Sequence, residues 1–264
     1  STQSRSSAAS DVYKRQEEFK GQVPIIQDVL GDLAIVTLTK ENYEADDILA
    51  TLTTQAQDDY EVIIVTGDRD YLQLVNDSVT VLYPTRGVST LTRFTPEEVE
   101  KKYGLTPAQY PDFAALRGAP SDNLPNIPGV GEKTATKWIV QYGDLQSLIE
   151  HAEEIKGKVG DSFRERIEQV QLNRELTQMV RDLELPVGPA ELELKPADVN
   201  AVANAFDDLE FGANLRERVL AAVPHDGALI EEEDAADEVA ELTVDQAPLD
   251  EWLKEREGLS LIHI

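Results

Sequence analysis

Val62-Ile63-Ile64-Val65-Thr66-Gly67-Asp68-Arg69-Asp70 decides the fold. Four consecutive β-branched residues predict a fully buried strand, and Gly67 then allows the backbone to turn sharply. Open α/β sheets place their ligands beyond the carboxyl ends of such strands. Asp68 and Asp70 stand there, two residues apart on a tight turn, where both can face one hard cation. Alone, the pair is better read as a helix cap, because Asp is favoured at the cap and in the first turn. Two further acidic clusters change that balance.

Upstream, Phe19, Val23, Ile26 and Leu30 recur at helical spacing. Pro24 inside that pattern puts the expected start of the regular helix near Val23, and Gly31 is its natural stop. A short strand is expected over Leu33–Leu38. Tyr43-Glu44-Ala45-Asp46-Asp47 then opens a helix running to about Gln57. The helix dipole accounts for one or two acids in a first turn. Three within four residues, Glu44, Asp46 and Asp47, repel one another unless a cation or solvent intervenes.

Downstream, a short helix is expected over Tyr71–Val75, and Val79–Tyr83 with Ser89–Phe94 reads as a hairpin. Thr95-Pro96 and Thr106-Pro107 are helix starts, the second helix reaching Leu116. The third acidic position is Asp122, in Leu116-Arg117-Gly118-Ala119-Pro120-Ser121-Asp122-Asn123-Leu124-Pro125. Beyond it, Pro128-Gly129-Val130-Gly131-Glu132-Lys133-Thr134 enters a helix that also carries Lys137, offering free backbone N–H groups and cations to a phosphate. An ordinary helix–turn–helix connection is the plainer reading of the same string. No Walker lysine or Gly-x-Gly-x-x-Gly pattern accompanies it. From Asp144 to Val180 the pattern stays helical, and Lys156, Lys158, Arg164 and Arg166 read as a solvated face. Pro186–Pro196 is a linker, and Val199–Phe206 and Phe211–Val223 are closing helices. A sheet domain with an all-helical domain docked on it follows from this order.

Composition narrows the chemistry. The absence of cysteine excludes disulfides and thiolate metal sites. Three histidines, with only His151 inside the folded pattern, make histidine catalysis a poor fit. Acids outnumber bases 51 to 24, a net charge of −27 that on its face opposes a nucleic-acid partner. The excess is uneven: Asp226–Gly258 holds 13 acids and 2 bases. Cations bound by clustered carboxylates would offset part of the rest. Asp226–Glu241, acidic and free of aromatics, reads as a disordered linker, and Leu249–Arg256 as the first helix of a further, truncated domain.

The ends are excluded from fold reasoning. Ser6–Gln16 reads as the in-frame translation of a sequencing adapter, and Leu259–Ile264 as the same element on the opposite strand. Ser1–Arg5 is taken with the first scar. The expected domains are a scar over 1–16, a sheet core over 17–115 and a helical subdomain over 116–223. An acidic linker over 224–248, a truncated start over 249–258 and a second scar over 259–264 complete them.

Tyr43-Glu44-Ala45-Asp46-Asp47, Thr66-Gly67-Asp68-Arg69-Asp70, Ser121-Asp122-Asn123-Leu124-Pro125 and Pro128-Gly129-Val130-Gly131-Glu132-Lys133-Thr134 together resemble the 5′ nuclease domains of bacterial DNA polymerase I. The resemblance covers about Glu17 to Val223, and the wording near Tyr110–Leu116 and Asp207–Phe211 is similar to actinobacterial members. It implies an α/β fold: a PIN-like, Rossmann-like sheet with helices on both faces, plus a helix–three-turn–helix subdomain. It also implies hydrolysis of 5′ flaps or nicks in duplex DNA with two Mg²⁺ or Mn²⁺ ions. Glu44, Asp46, Asp47, Asp68, Asp70 and Asp122 would be the metal-binding residues, with Asp47, Asp68 and Asp70 closest to the chemistry. Gly129, Val130 and Gly131, with Lys133, Thr134 and Lys137, would grip DNA, the hairpin carbonyls holding K⁺ against a phosphate. The implied protein is a cytoplasmic, nucleoid-associated monomer, joined to downstream polymerase domains and unattached to membrane.

Two departures follow from the resemblance. The family's Gly-Asp-x-Ser-Asp string reads Gly118-Ala119-Pro120-Ser121-Asp122 here, so Ala119 stands where a metal-binding Asp is expected. A true substitution and an error in a single read are both open. The family's first strand and basic arch belong upstream of Glu17, so weak or absent cleavage is expected of the fragment itself. A duplex-binding module without catalysis, a phosphatase using Asp68 as nucleophile and a PIN-type ribonuclease are the competing readings.

Overall fold

A computed structural model describes residues 20–85, 90–120 and 123–226, together with the short strands at 243–244, 247–248 and 262–263. Two compact units share the chain: 40–186 with 239–257, and 1–39 with 187–238 and 258–264. The boundary expected at 115/116 falls inside the larger unit. The helices after Arg117 bury their apolar faces in the same cluster as the sheet. Ile64, Val81, Phe94, Phe113, Leu116, Ile139, Leu148 and Phe163 all belong to it.

In the larger unit, β2 (Val62–Val65) pairs in parallel with β3 (Val79–Pro84), and β3 pairs antiparallel with β4 (Thr90–Phe94). Strands β7 (Thr243–Val244) and β8 (Ala247–Pro248) extend the sheet beyond β4. The order is β2-β3-β4-β7-β8, so β2 is an edge strand. The expected complete burial of Val62–Val65 therefore fails. Ile64 is buried, Val62 and Ile63 are half-buried, and Val65 is 64% exposed. A β-branched run reports preference for extended backbone, and depth depends on neighbours that the run itself does not specify.

Around the sheet lie α2 (Ala45–Ala56), α3 (Pro96–Tyr103), α4 (Tyr110–Arg117), α5 (Glu132–Tyr142), α6 (Leu145–Glu150), α7 (Gly157–Arg164) and α8 (Ile167–Thr177). The Thr-Pro starts behave as their chemistry dictates. Thr95 accepts a hydrogen bond from the Glu98 N–H ahead of α3, and Gly104 ends that helix in the left-handed region at φ 68°. Thr106-Pro107 opens a 3-10 turn over Pro107–Gln109 rather than a full helix, and α4 follows it. Asp70–Leu74 is likewise a 3-10 turn. One polar junction joins three helices: Asp112 on α4 accepts from the Leu145 N–H at 2.9 Å and pairs with Arg174 of α8.

The smaller unit contains α1, helical over residues 20–32, then β1 (Val36–Thr37), β5 (Ala197–Asp198), α9 (Val199–Asp208), α10 (Ala213–Ala222) and β6 (His225–Asp226). Helix α1 is already formed at residue 20 and passes both Pro24 and Gly31, earlier and longer than expected. Pro24, past the first four N–H groups, forgoes a bond to the residue-20 carbonyl, and the helix continues through it. Val23 and Ile26, assigned to its buried stripe, are 38% and 42% exposed. Its inward residue is instead Val29, packed with Leu33, Val202, Phe206 and Leu220. The strand expected over Leu33–Leu38 shortens to β1. Its parallel partner is β9 (Ile262–His263), inside the segment set aside as scar. Phe19, the linker over 227–241 and the helix expected over Leu249–Arg256 lie outside the described residues.

Candidate active site

Past β2, Thr66 turns its hydroxyl to accept the Asp68 N–H at 3.0 Å, and Asp68 Oδ1 accepts the Asp70 N–H at 2.8 Å. Asp68 thus closes an Asx turn just ahead of the 3-10 turn, whose cap position is Arg69, and its side chain is exposed. The cap reading and the metal reading use different parts of one carboxylate, since capping consumes a single oxygen.

At the head of α2, Glu44 is the N-cap in extended conformation, but its side chain makes no capping bond and is exposed. Asp46 and Asp47 occupy the first turn and are half-buried. Asp46 Oδ1 accepts the Tyr71 hydroxyl at 2.8 Å. Asp47 Oδ1 accepts the Val180 N–H at 2.8 Å, across 133 residues of chain. Burial lifts the Asp46 carboxyl above the usual carboxylate range. The Tyr71 bond pulls it down, and Asp68 and Asp47 push it up. Tyr71, buried and facing Asp46, Asp68 and Asp47, is held in its neutral form well above the ordinary phenol range. Asp46 thus has Asp47 and Asp68 as like-charged neighbours, and Tyr71 joins the head of α2 to the turn after β2. Asp70 raises the buried Tyr110 phenol instead, so it bears on the α4 side.

Asp122 lies outside the described residues. The loop that carries it is nevertheless closed on both sides. Ala119 and Leu124 exchange two main-chain bonds of 3.0 Å each. Gly118 enters the loop at φ 72°, where an added Cβ would stand 2.8 Å from the Asn126 Cα, so only glycine fits. Ala119 is half-buried in ordinary backbone.

The Pro128–Thr134 string is a tight turn into α5. Val130 N–H donates to the Ile127 carbonyl at 3.0 Å, and Gly129 sits at φ 83°. The Gly131 carbonyl accepts from Thr134 and Ala135, so of the three hairpin carbonyls only those of Gly129 and Val130 stand outside the turn's own bonds. Val130 is buried, while Lys133 and Lys137, one helical turn apart, are exposed, and Thr134 is half-buried.

Sequence reading missed the partners that hold these groups. Tyr71 steadies Asp46. Gln73 Nε2 donates to the carbonyls of Asp70 and Thr177 at 2.9 and 3.0 Å, and its Oε1 accepts the Met179 N–H at 3.3 Å. Thr51 Oγ1 bonds Val180 and Leu183 main chain. Apart from the Gln73–Asp70 bond, each of these contacts joins residues at least 25 apart in the chain, and no local pattern announces them.

The donor set suits a hard dication: it is all oxygen, with neither His nor Cys. Among the described residues, however, no three such side chains converge closely enough to hold a metal ion.

A profile of the 5′-3′ exonuclease N-terminal resolvase-like domain matches residues 8–104, and one of the 5′-3′ exonuclease C-terminal SAM fold matches residues 105–200. The chain belongs to the 5′-3′ exonuclease family. Its fold is accordingly a resolvase-like, PIN-type sheet domain followed by a SAM-like helical region, as expected from the four motifs. The first match begins at residue 8, within the stretch read as scar. The DNA polymerase I of Mycobacterium tuberculosis is 59% identical over 204 residues, covering 77% of this chain and 22% of the relative. That of Mycobacterium leprae is 50% identical over 252 residues, covering 93% and 28%. The chain thus spans about a quarter of the length of these polymerases. Among solved structures, the catalytic core of Rad2 in complex with a DNA substrate superposes with a TM-score of 0.55 at 16% identity, covering 84% of this chain and 76% of that one. That likeness concerns the fold of this exonuclease-family chain.

Proposed function

We propose that this chain is the 5′-nuclease portion of a DNA polymerase I, hydrolysing phosphodiesters at 5′ flaps or nicks in duplex DNA. What supports the reading is the match to both 5′-3′ exonuclease domains, together with the 2.8 Å Tyr71–Asp46 bond that ties the acidic head of α2 to the turn after β2. Glu44 and Asp70 flank that junction in sequence, and the Asp122 loop is closed beside Gly118. Two Mg²⁺ or Mn²⁺ ions held there would activate a water and stabilise both oxygens of an in-line displacement. The protein's own part is to fix the carboxylates. Tyr71 donates to one oxygen of Asp46, and the Val180 N–H to one oxygen of Asp47. The Gly129 and Val130 carbonyls would seat K⁺ against a DNA phosphate, with Lys133, Thr134 and Lys137 beside it. The parent protein would work as a cytoplasmic, nucleoid-associated monomer with its polymerase attached. Among the described residues no helix is long and apolar enough to cross a membrane.

A second reading, a duplex-binding module without catalysis, is favoured by Ala119 in the place of a metal-binding Asp. Titration with Mn²⁺, followed by loss of the free-ion electron spin resonance signal, separates the two. The nuclease reading expects binding that Asp46→Asn and Asp68→Asn each weaken. A chain that binds duplex DNA and leaves Mn²⁺ free is the module.

A further inference from the structure

Three cations of this acidic chain lie over the rings of one connected aromatic cluster, in which Tyr83 meets Phe94 and Tyr103 meets Phe113. Lys102 Nζ lies 5.7 Å from the centre of the Tyr103 ring and 4.9 Å from that of Phe94. Arg69 Cζ stands 5.5 Å over Tyr83, and Arg117 Cζ 5.4 Å over Phe113. Tyr103 joins these rings, its centroid 5.9 Å from Phe113 and 5.3 Å from Tyr110. Arg69 and Arg117 both act on the Tyr103 hydroxyl electrostatically. The cluster is therefore contiguous, drawn from the turn after β2, the end of α3 and the end of α4.

Charge neutralisation does not explain it. Among the described residues, Arg69 and Lys102 have no carboxylate within ion-pair distance, whereas Arg117 reaches Glu132 at 3.6 Å, itself 61% exposed, and its Nε donates to the Gly118 carbonyl at 3.3 Å. The neighbouring Lys101, by contrast, is paired with Glu98 at 3.0 Å. Cation–π contact at an exposed site supplies roughly 0.5–1 kcal/mol, enough to orient a guanidinium or ammonium without satisfying its donors. Aromatic faces thus hold three cations in place with hydrogen-bonding capacity to spare. Such an array suits a row of phosphodiesters, for which Arg is a geometric match and Lys a point charge. The rings of Phe94, Phe113 and Tyr110 are buried, so base stacking is not the mode. Arg69 lies between Asp68 and Asp70, and Arg117 immediately precedes the Gly118–Pro125 loop, so the array adjoins the acidic edge.

We propose that Arg69, Lys102 and Arg117 form a phosphate-contacting patch for the DNA strand, separate from the Gly129–Lys137 hairpin and beside the carboxylates. It rests on the nuclease reading for its ligand, and its test needs no cleavage. Neutralising a phosphate contact lowers the steepness of log affinity against log salt by about 0.7–0.9 per contact. The probe is a fluorescent duplex with a 5′ single-stranded tail, titrated by anisotropy in EDTA over a series of salt concentrations.

The triple variant Arg69→Gln/Lys102→Gln/Arg117→Gln is expected to lose about two to three units of slope, and Lys102→Gln alone about one. Lys101→Gln, equal in charge change and already paired, is expected to keep the slope. Lys102 is exposed, so its single variant carries the test if the triple variant misfolds. Equal slopes for wild type and Lys102→Gln, or equal losses for Lys101→Gln and Lys102→Gln, overturn the patch. Either result leaves the Mn²⁺ titration, and with it the nuclease reading, standing on its own.

Discussion

Replacing Asn173 by Leu is expected to loosen the loop that carries Asp122 while keeping the volume of the side chain. Asn173 is fully buried on α8. Its Nδ2 donates to the Ala115 carbonyl at 3.1 Å and to the Pro125 carbonyl at 2.9 Å, and its Oδ1 accepts from Gln169 at 3.0 Å. Ala115 lies in the last turn of α4, where helix carbonyls have no partner of their own. Pro125 stands at the far end of the Gly118–Pro125 loop. One amide therefore ties both ends of that loop to α8. Leu in its place leaves the buried Ala115 carbonyl unpaired and takes the protein partner from the exposed Pro125, so a loss of about 1–3 kcal/mol is expected. Part of that is recovered if water reaches the Ala115 carbonyl. Urea unfolding followed by near-ultraviolet circular dichroism gives the total. Amide hydrogen exchange gives the location, because Ala119 and Leu124 are each other's main-chain partners. Their protection should collapse ahead of that of β3. A loss under about 1 kcal/mol with Ala119 and Leu124 still protected would show that the loop is held by something other than Asn173.

Three further outcomes are expected. Ala119→Asp restores a carboxylate at a half-buried position with ordinary backbone; it should tighten Mn²⁺ binding by at least the roughly tenfold that even outer-sphere partners contribute, and an unchanged titration removes Ala119 from the site. Asp144 caps α6, accepting the Ser147 N–H at 2.7 Å, and that bond holds its carboxyl below the usual carboxylate range. A depressed folded value contributes stability above the unfolded pKa that is lost as pH falls through the folded one. Asp144→Ala should therefore cost about 1 kcal/mol near neutrality and flatten the acid limb of the stability curve, whereas a constant difference down to low pH refutes the cap. Val65→Thr at the sheet edge should change stability by less than about 0.5 kcal/mol, while Ile64→Ala costs about 2–5 kcal/mol; comparable losses by urea titration would mean that β2 is covered after all.

How far the sequence could be read depended on the range of the interaction concerned. Thr95-Pro96, the Pro128–Thr134 turn and the β3–β4 hairpin are settled by chemistry within a few residues, and each forms where its own residues require. Asp46 has Asp47 and Asp68 as neighbours because strand-to-helix junctions gather at one edge of any open α/β sheet. Burial of Val62–Val65 was misjudged because it depends on what pairs beside the strand, which the β-branched run does not encode. The sheet and the helices after Arg117 read as separate domains along the sequence, yet their apolar faces share one core. Asp47 shows the limit most sharply. Its place in the first turn of α2 is local and legible, but one oxygen is committed to the N–H of Val180, 133 residues away. A metal bound at that edge would have to share Asp47 with the strap formed by residues 177–183. Holding the carboxylate by its far oxygen reduces the rotamer freedom lost when the near oxygen meets a cation. The contact hidden from the sequence would thus prepare the carboxylate proposed as a ligand.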